Sequence, residues 1–161
     1  MRPKQLALVV CLILAGCGGS SESVQPTQRV SGPGFSFRAP SGWHVQRRDG
    51  KVGATQDSEL VQVASFRLLK PYRSALFDRV ERELSTRMGQ LAQQTGGTVS
   101  KPRTVTTGGV RSHSYTVTVG DHVDEYTFVL RGRREHQLLC RRKASHDDDA
   151  CRQLLTSFAT T

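Results

Sequence analysis

Five histidines, many serines and a run of three aspartates are the side chains through which this 161-residue chain could do chemistry. Catalysis and metal binding need such residues at fixed spacings. His44, His113, His122, His136 and His146 form no HExxH pair or comparable ligand pattern. If Gly120-Asp121 is a two-residue turn, Val119 pairs with His122 and His113 lies opposite Phe128, far down the same hairpin. Those two histidines are then not co-ligands, and all five read as exposed sheet residues. No serine stands in a G-x-S-x-G elbow. In Ser112-His113-Ser114 the alternation of a strand sends neighbours to opposite faces. Gly96-Gly97 and Gly108-Gly109 are too short to cradle a phosphate. Asp147, Asp148 and Asp149 suit a helix start, where the dipole favours negative charge, better than a calcium site. With no catalytic set, metal site or cofactor motif, the chain reads as a non-enzyme.

One thiol stands in a different kind of chemical context. Arg2 and Lys4 precede an apolar run from Leu6 to Ala15. Ten residues rise roughly 15 Å as a helix, too short to cross a bilayer but right for the hydrophobic region of a signal peptide. Leu14-Ala15-Gly16-Cys17 closes that run and resembles the lipobox of bacterial lipoproteins. The resemblance implies a diacylglyceryl group on the Cys17 sulfur, cleavage just before it, and residues 1–16 as the signal peptide. Two acyl chains would anchor the chain stably, on the outer face of the cytoplasmic membrane. An ordinary secretory peptide with an incidental cysteine is the alternative. Cys11 would leave with the peptide, so Cys140 and Cys151 remain. Outside the cytoplasm such a pair is expected to be a disulfide. Two cysteines with only His146 between them do not make a zinc site.

The whole chain carries 23 basic and 14 acidic residues, a net charge of +9. Without Arg2 and Lys4 the difference is 23 − 2 − 14, or +7. An exported protein rarely meets nucleic acid, so the partners to expect are the membrane through the anchor, an envelope protein, or an anionic envelope component. Arg131, Arg133 and Arg134 cluster at a hairpin tip and are the candidate anionic-surface contact; a solvated loop is the alternative. Residues 17–33, rich in Ser, Gln, Gly and Pro, cannot bury a core and read as a flexible lipidated tether. Residues 34–161 are one domain's worth of chain.

The elements that position these residues follow from periodicity. Phe35 and Phe37 alternate with polar neighbours, Pro40-Ser41-Gly42 turns the chain, and Trp43 and Val45 begin a second strand. "KVGATQD" is a shorter strand. In "ELVQVASFRLL", Leu60, Ala64, Phe66 and Leu68 share one face and Val61 and Val63 the other, which predicts a central strand. From Arg73 to about Thr95 the period changes: Phe77, Val80, Leu84, Met88 and Leu91 make one stripe of a long amphipathic helix, ended by Gly96-Gly97. Four more strands follow, with hairpin turns at Gly120-Asp121 and at the Arg131-Gly132-Arg133-Arg134 tip. A short helix closes the chain, its start marked by a capping-box-like Ser145 and Asp148.

This order, with "GFSFRAPSGW" early and "LLTSF" at the end, resembles the PsbP-like (LpqN-type) lipoproteins of actinobacteria over about 34–160. The resemblance implies an α+β fold, an α/β/α sandwich around an antiparallel sheet. It implies accessory or binding roles rather than catalysis. A tethered binding or adaptor module is the expected function. A carrier holding a lipid or other apolar ligand between sheet and helix is the second expectation. A large cavity lined by Phe and Leu would favour the carrier, and a filled core would count against it.

Overall fold

The computed structural model describes residues 26–161. Residues 1–16, Cys17 and the first part of the expected tether lie outside them. Eleven strands and two α-helices are formed: β1 (Thr27–Gly32), β2 (Phe35–Pro40), β3 (His44–Arg48), β4 (Lys51–Gln56), β5 (Glu59–Arg67), α1 (Phe77–Thr95), β6 (Thr98–Val99), β7 (Arg103–Thr107), β8 (Val110–Val119), β9 (His122–Arg131), β10 (Arg134–Lys143), α2 (Asp149–Ser157) and β11 (Ala159–Thr160). They make a mixed α+β fold of two antiparallel sheets. One runs β3-β4-β5-β10-β9-β8-β6 with β7 added on β8, and the other runs β1-β2-β11.

The expected tether boundary at residue 33 is corrected. Thr27–Gly32 pairs along its whole length with β2, and Val30 is fully buried against it. A strand on the edge of a three-stranded sheet needs only one large apolar residue facing inward, so its polar composition hides it. The domain therefore includes Thr27–Gly32.

Each face of the large sheet buries its own core. On one face Val61, Val63, Val129, Leu138 and Cys140 meet Phe35, Phe37 and Ala39 of β2 and Leu154 and Phe158 at the end of the chain. On the other face Tyr115 and Phe128 meet Leu84 and Met88 of α1. The stripe read from the sequence faces inward, with Phe77, Leu84 and Met88 buried, Val80 and Leu91 half-buried, and Ala92 joining it. Residues 26–161 thus contain both cores and every strand partner of the described elements.

Two glycines let α1 return to the sheet. Gly96 takes the left-handed conformation (φ 68°) and caps the helix through its N–H to the carbonyls of Ala92 and Gln93. A Cβ on Gly97 would stand 2.5 Å from the Thr118 carbonyl, so only glycine lets this turn lie so close to β8. The expected capping box does not form. α2 starts at Asp149 after an Asp148 N-cap, and Asp147 Oδ1 accepts from the Asp149 N–H instead.

Antiparallel register sorts the loops into two ends. Glu59, Val119, His122 and Lys143 gather at one end, and Arg67, Val110, Arg131 and Arg134 at the other. Pro26 belongs to the first end, since its carbonyl accepts from the Ser41 N–H at 2.9 Å. There Pro40 and Trp43 share a polar cleft with Arg142 and His146. At the second end Arg131 donates to Thr160 Oγ1 at 3.1 Å. The chain enters the domain at one end and carries its arginine hairpin at the other.

Candidate functional site

The histidines do not converge, and two of them contradict the expectation of exposure. His113 and His136 are each 1% exposed. The sheet is covered on both faces, so alternation along β8 and β10 moves a residue from one core to the other rather than out to water. His113 places Nε2 3.1 Å from the Phe77 carbonyl oxygen, and its Nδ1, without a hydrogen-bond partner, lies 3.5 Å from Glu81 Oε2. His136 packs edge-on against Phe35 and Phe158, with Nδ1 unpartnered. Burial holds both imidazoles below their ordinary pKa. His122 and His146 each meet one carboxylate, Asp121 and Glu59, at 2.7 Å. Among the described residues no group of three or more His, Cys, Asp and Glu is placed to hold a metal ion.

Cys140 and Cys151 form a disulfide, with Cα atoms 5.3 Å apart. It staples the start of α2 to β10, and both residues are buried. Its role is structural.

The hairpin tip gathers basic residues. Arg131, Arg133 and Arg134 are exposed, and the register widens the cluster. Arg134 lies directly opposite Arg131 on one side and Arg67 on the other. Three adjacent strands therefore present arginines in one row on one face, although like charges directly opposed destabilise a sheet. The segment after β5 is strapped to the tip. Leu68 N–H donates to the Arg133 carbonyl at 2.9 Å and Tyr72 N–H to the Gly132 carbonyl at 2.7 Å. Arg133 in turn donates to the Leu69 carbonyl at 3.1 Å. The strap brings Lys70 and Arg73 to the same end. Among the described residues none of Arg67, Lys70, Arg73, Arg131, Arg133 and Arg134 forms an ion pair. Glu135 points to the opposite face of the sheet, beside Leu130 and Phe66 in the register, and does not offset the row.

Apolar residues share this end. The large apolar side chains left exposed among the described residues are Phe66 (45%), Leu69 (95%) and Leu76 (39%). All three lie from the last residues of β5 to the residue before α1. Sequence reasoning found the three hairpin arginines but missed Arg67, Leu69, Lys70 and Arg73. The signal was present in "FRLLKPYR", where two leucines run past the end of a strand into a Lys-Pro turn.

The end beside Pro26 is different in character. Asp57, Glu59, Asp121 and Asp147 to Asp149 lie there, several in ion pairs; Arg152 takes both Asp148 and Asp149. A cleft of about 610 Å³ opens where α1 ends, walled by Leu60, Leu91, Val119 and Tyr126 and by the Asp124–Arg141 pair. Both Asp124 oxygens accept from Arg141 at 2.7 Å, so the pair closes one wall with its charges matched. Burial, with the Asp124 carboxylate beside it, raises the Tyr126 phenol above its ordinary pKa.

No family model matches the sequence, and no curated protein does. Solved structures do match it. The solution structure of cyanobacterial PsbP (CyanoP) from Synechocystis sp. PCC 6803 is 16% identical with a TM-score of 0.61, and the match covers 92% of this chain and 99% of that one. A crystal structure from Bacteroides thetaiotaomicron VPI-5482 is 10% identical with a TM-score of 0.55, covering 80% of this chain. This chain spans 45% of that longer one. The fold is PsbP-like, as the sequence resemblance implied.

Proposed function

We propose that this chain is an exported lipoprotein, held by a lipid on Cys17 to the outer face of the cytoplasmic membrane. Its domain is a non-catalytic binding or adaptor module of the cell envelope. The observation that carries the binding role is the in-register row of Arg67, Arg134 and Arg131. Such a row costs stability, and an acidic partner would turn that cost into affinity. The anchor rests on the Leu14-Ala15-Gly16-Cys17 sequence. No helix among the described residues is long and apolar enough to cross a membrane.

Two measurements test this reading. Metabolic labelling with a fatty acid should mark the wild-type chain and not Cys17→Ser; equal labelling of both, or of neither, sinks the anchor. A photo-crosslinker placed at residue 133 should capture an envelope component that the same probe at residue 57 does not. Equal capture from both ends sinks the binding role assigned to the tip.

A carrier of an apolar ligand is the second reading, and the cleft beside Leu91 and Tyr126 favours it. Leu84, Met88, Tyr115 and Phe128 fill the space between the middle of α1 and the sheet, so a ligand between them would sit in this cleft at the end of α1.

A further inference from the structure

We infer that the tip is a membrane-docking surface: Leu69 enters an anionic lipid bilayer while Arg67, Lys70, Arg73, Arg131, Arg133 and Arg134 meet lipid phosphates. Two independent features point to one occupant. Six cations gathered at one end, three of them directly opposed across adjacent strands and none offset by a carboxylate among the described residues, suit an anionic surface. A leucine that is 95% exposed, with its carbonyl tied down by Arg133, marks a surface with an apolar interior beneath the charge. A bilayer interface offers both at once. A soluble polyanion offers only the first. The side chain of Leu69 projects outward, so the feature fits a yielding medium rather than a folded partner with a preformed pocket.

The inference deepens the lipoprotein reading, and where the anchor is concerned it rests on it. The chain enters the domain at the end opposite the tip. Nine residue-to-residue steps lead from Cys17 to Pro26 (26 − 17). They span at most about 31 Å. The ten-residue strands β9 and β10 run about 31 Å from the Pro26 end to the tip. Tether and strands have the same reach, so an anchored domain brings its tip to the bilayer most readily when it tilts. Lipid and tip would then hold it at two points and lay its sheet along the membrane. Two acyl chains hold the domain to the membrane, and a polybasic patch is the kind of second signal that adds to such an anchor.

The test uses residues 26–161, which contain both cores and lack Cys17, so lipid attachment plays no part. Co-sedimentation is measured with phosphatidylcholine vesicles and with vesicles that also hold phosphatidylglycerol, at low and moderate salt. Wild type should bind the anionic vesicles and leave the neutral ones. Each cation near the surface contributes about fivefold. Arg131→Gln/Arg133→Gln/Arg134→Gln should therefore lose about a hundredfold. Leu69→Ser should lose about tenfold, because a buried leucine side chain is removed from the bilayer. All four positions are exposed, and matched thermal melts check that the variants stay folded. Equal binding of wild type and the triple variant overturns the proposal. So does equal binding of wild type and Leu69→Ser, which would mean headgroup adsorption without insertion. Inositol hexakisphosphate that binds as tightly as the vesicles, with no dependence on Leu69, would assign the tip to a soluble anion. Failure here leaves the Cys17 labelling result standing, and failure of labelling leaves this result standing.

Discussion

The imidazole of His113 lies with its ring centroid 3.8 Å from that of Phe77, while its Nε2 faces the backbone carbonyl of the same residue at 3.1 Å. Phe77 is the first residue of α1, so one histidine on β8 fixes the start of the helix by packing and by a hydrogen bond. The carbonyl requires Nε2 to carry the proton. Nδ1 is then a buried acceptor, and a second proton would put a charge beneath the helix.

That arrangement sets a pH dependence. Burial lowers the pKa of His113 and of His136 below the ordinary value near 6.5. The unfolded chain therefore takes up protons first as pH falls. Stability is complete above about 6.5 and is lost as pH drops through the lowered folded values. Glu135 acts in the opposite direction at lower pH, since burial raises its carboxyl pKa. Urea unfolding at pH 7.5 and 5.5 should give a lower midpoint at the acid value, and His113→Gln should reduce the difference. An unchanged difference would remove His113 from this account.

Reducing the Cys140–Cys151 bond should weaken the attachment of α2. The residues are 11 apart in sequence. A closed loop of that size contributes roughly 3 kcal/mol in the chain-entropy model. The Cys140→Ala/Cys151→Ala variant should unfold at markedly lower denaturant concentration, and reductant should bring wild type to the same midpoint. Amide exchange should rise first in α2 and β11, which pack on β2. A uniform rise across the domain would show that the bond supports the whole fold rather than one helix.

Arg134→Gln should make the domain more stable, against the usual sense of a mutation. It relieves two cross-strand repulsions, with Arg67 and with Arg131. Like charges directly opposed cost about 0.2–1 kcal/mol per pair. The lost hydrogen bond to Ser65 Oγ is exposed and returns little. The gain should shrink as salt is added, because screening already relieves the repulsion in wild type. A variant less stable than wild type at low salt would mean that the row is structural.

Much of this fold was legible because its patterns were local. The α1 stripe has helical spacing, and the Gly120-Asp121 turn fixed Val119 opposite His122 and His113 opposite Phe128, as the structure has them. The elements that escaped depend on distant partners. β1 has only Val30 as a large apolar residue, and β11 is two residues long; both exist because β2 offers them a ladder. The buried histidines escaped for a related reason. Alternation predicts which residues share a face, not whether that face is covered. Of the candidate site, the hairpin arginines were visible as a cluster in the chain. Arg67 and Leu69 joined them only through the pairing of β5 with β10, which links residues nearly seventy positions apart.

The Asp124–Arg141 pair should respond asymmetrically to its two deletions. The carboxylate side chain is 9% exposed and the guanidinium 43%. Arg141→Met keeps the apolar stem but leaves a buried carboxylate in the cleft wall with neither of its two hydrogen bonds from Arg141. Asp124→Asn leaves an arginine that water reaches. Breaking a fully buried pair costs about 3–5 kcal/mol, and the exposure of Arg141 reduces that here. Arg141→Met should cost roughly 2 kcal/mol and Asp124→Asn roughly 1 kcal/mol, since the amide keeps one acceptor for the guanidinium. The double variant should be more stable than the sum of the singles, because it strands no charge. Equal costs for the two single variants would mean that water fills the cleft and solvates Asp124. Such a wet cleft would be a poor seat for an apolar ligand, so this stability measurement also bears on the carrier reading.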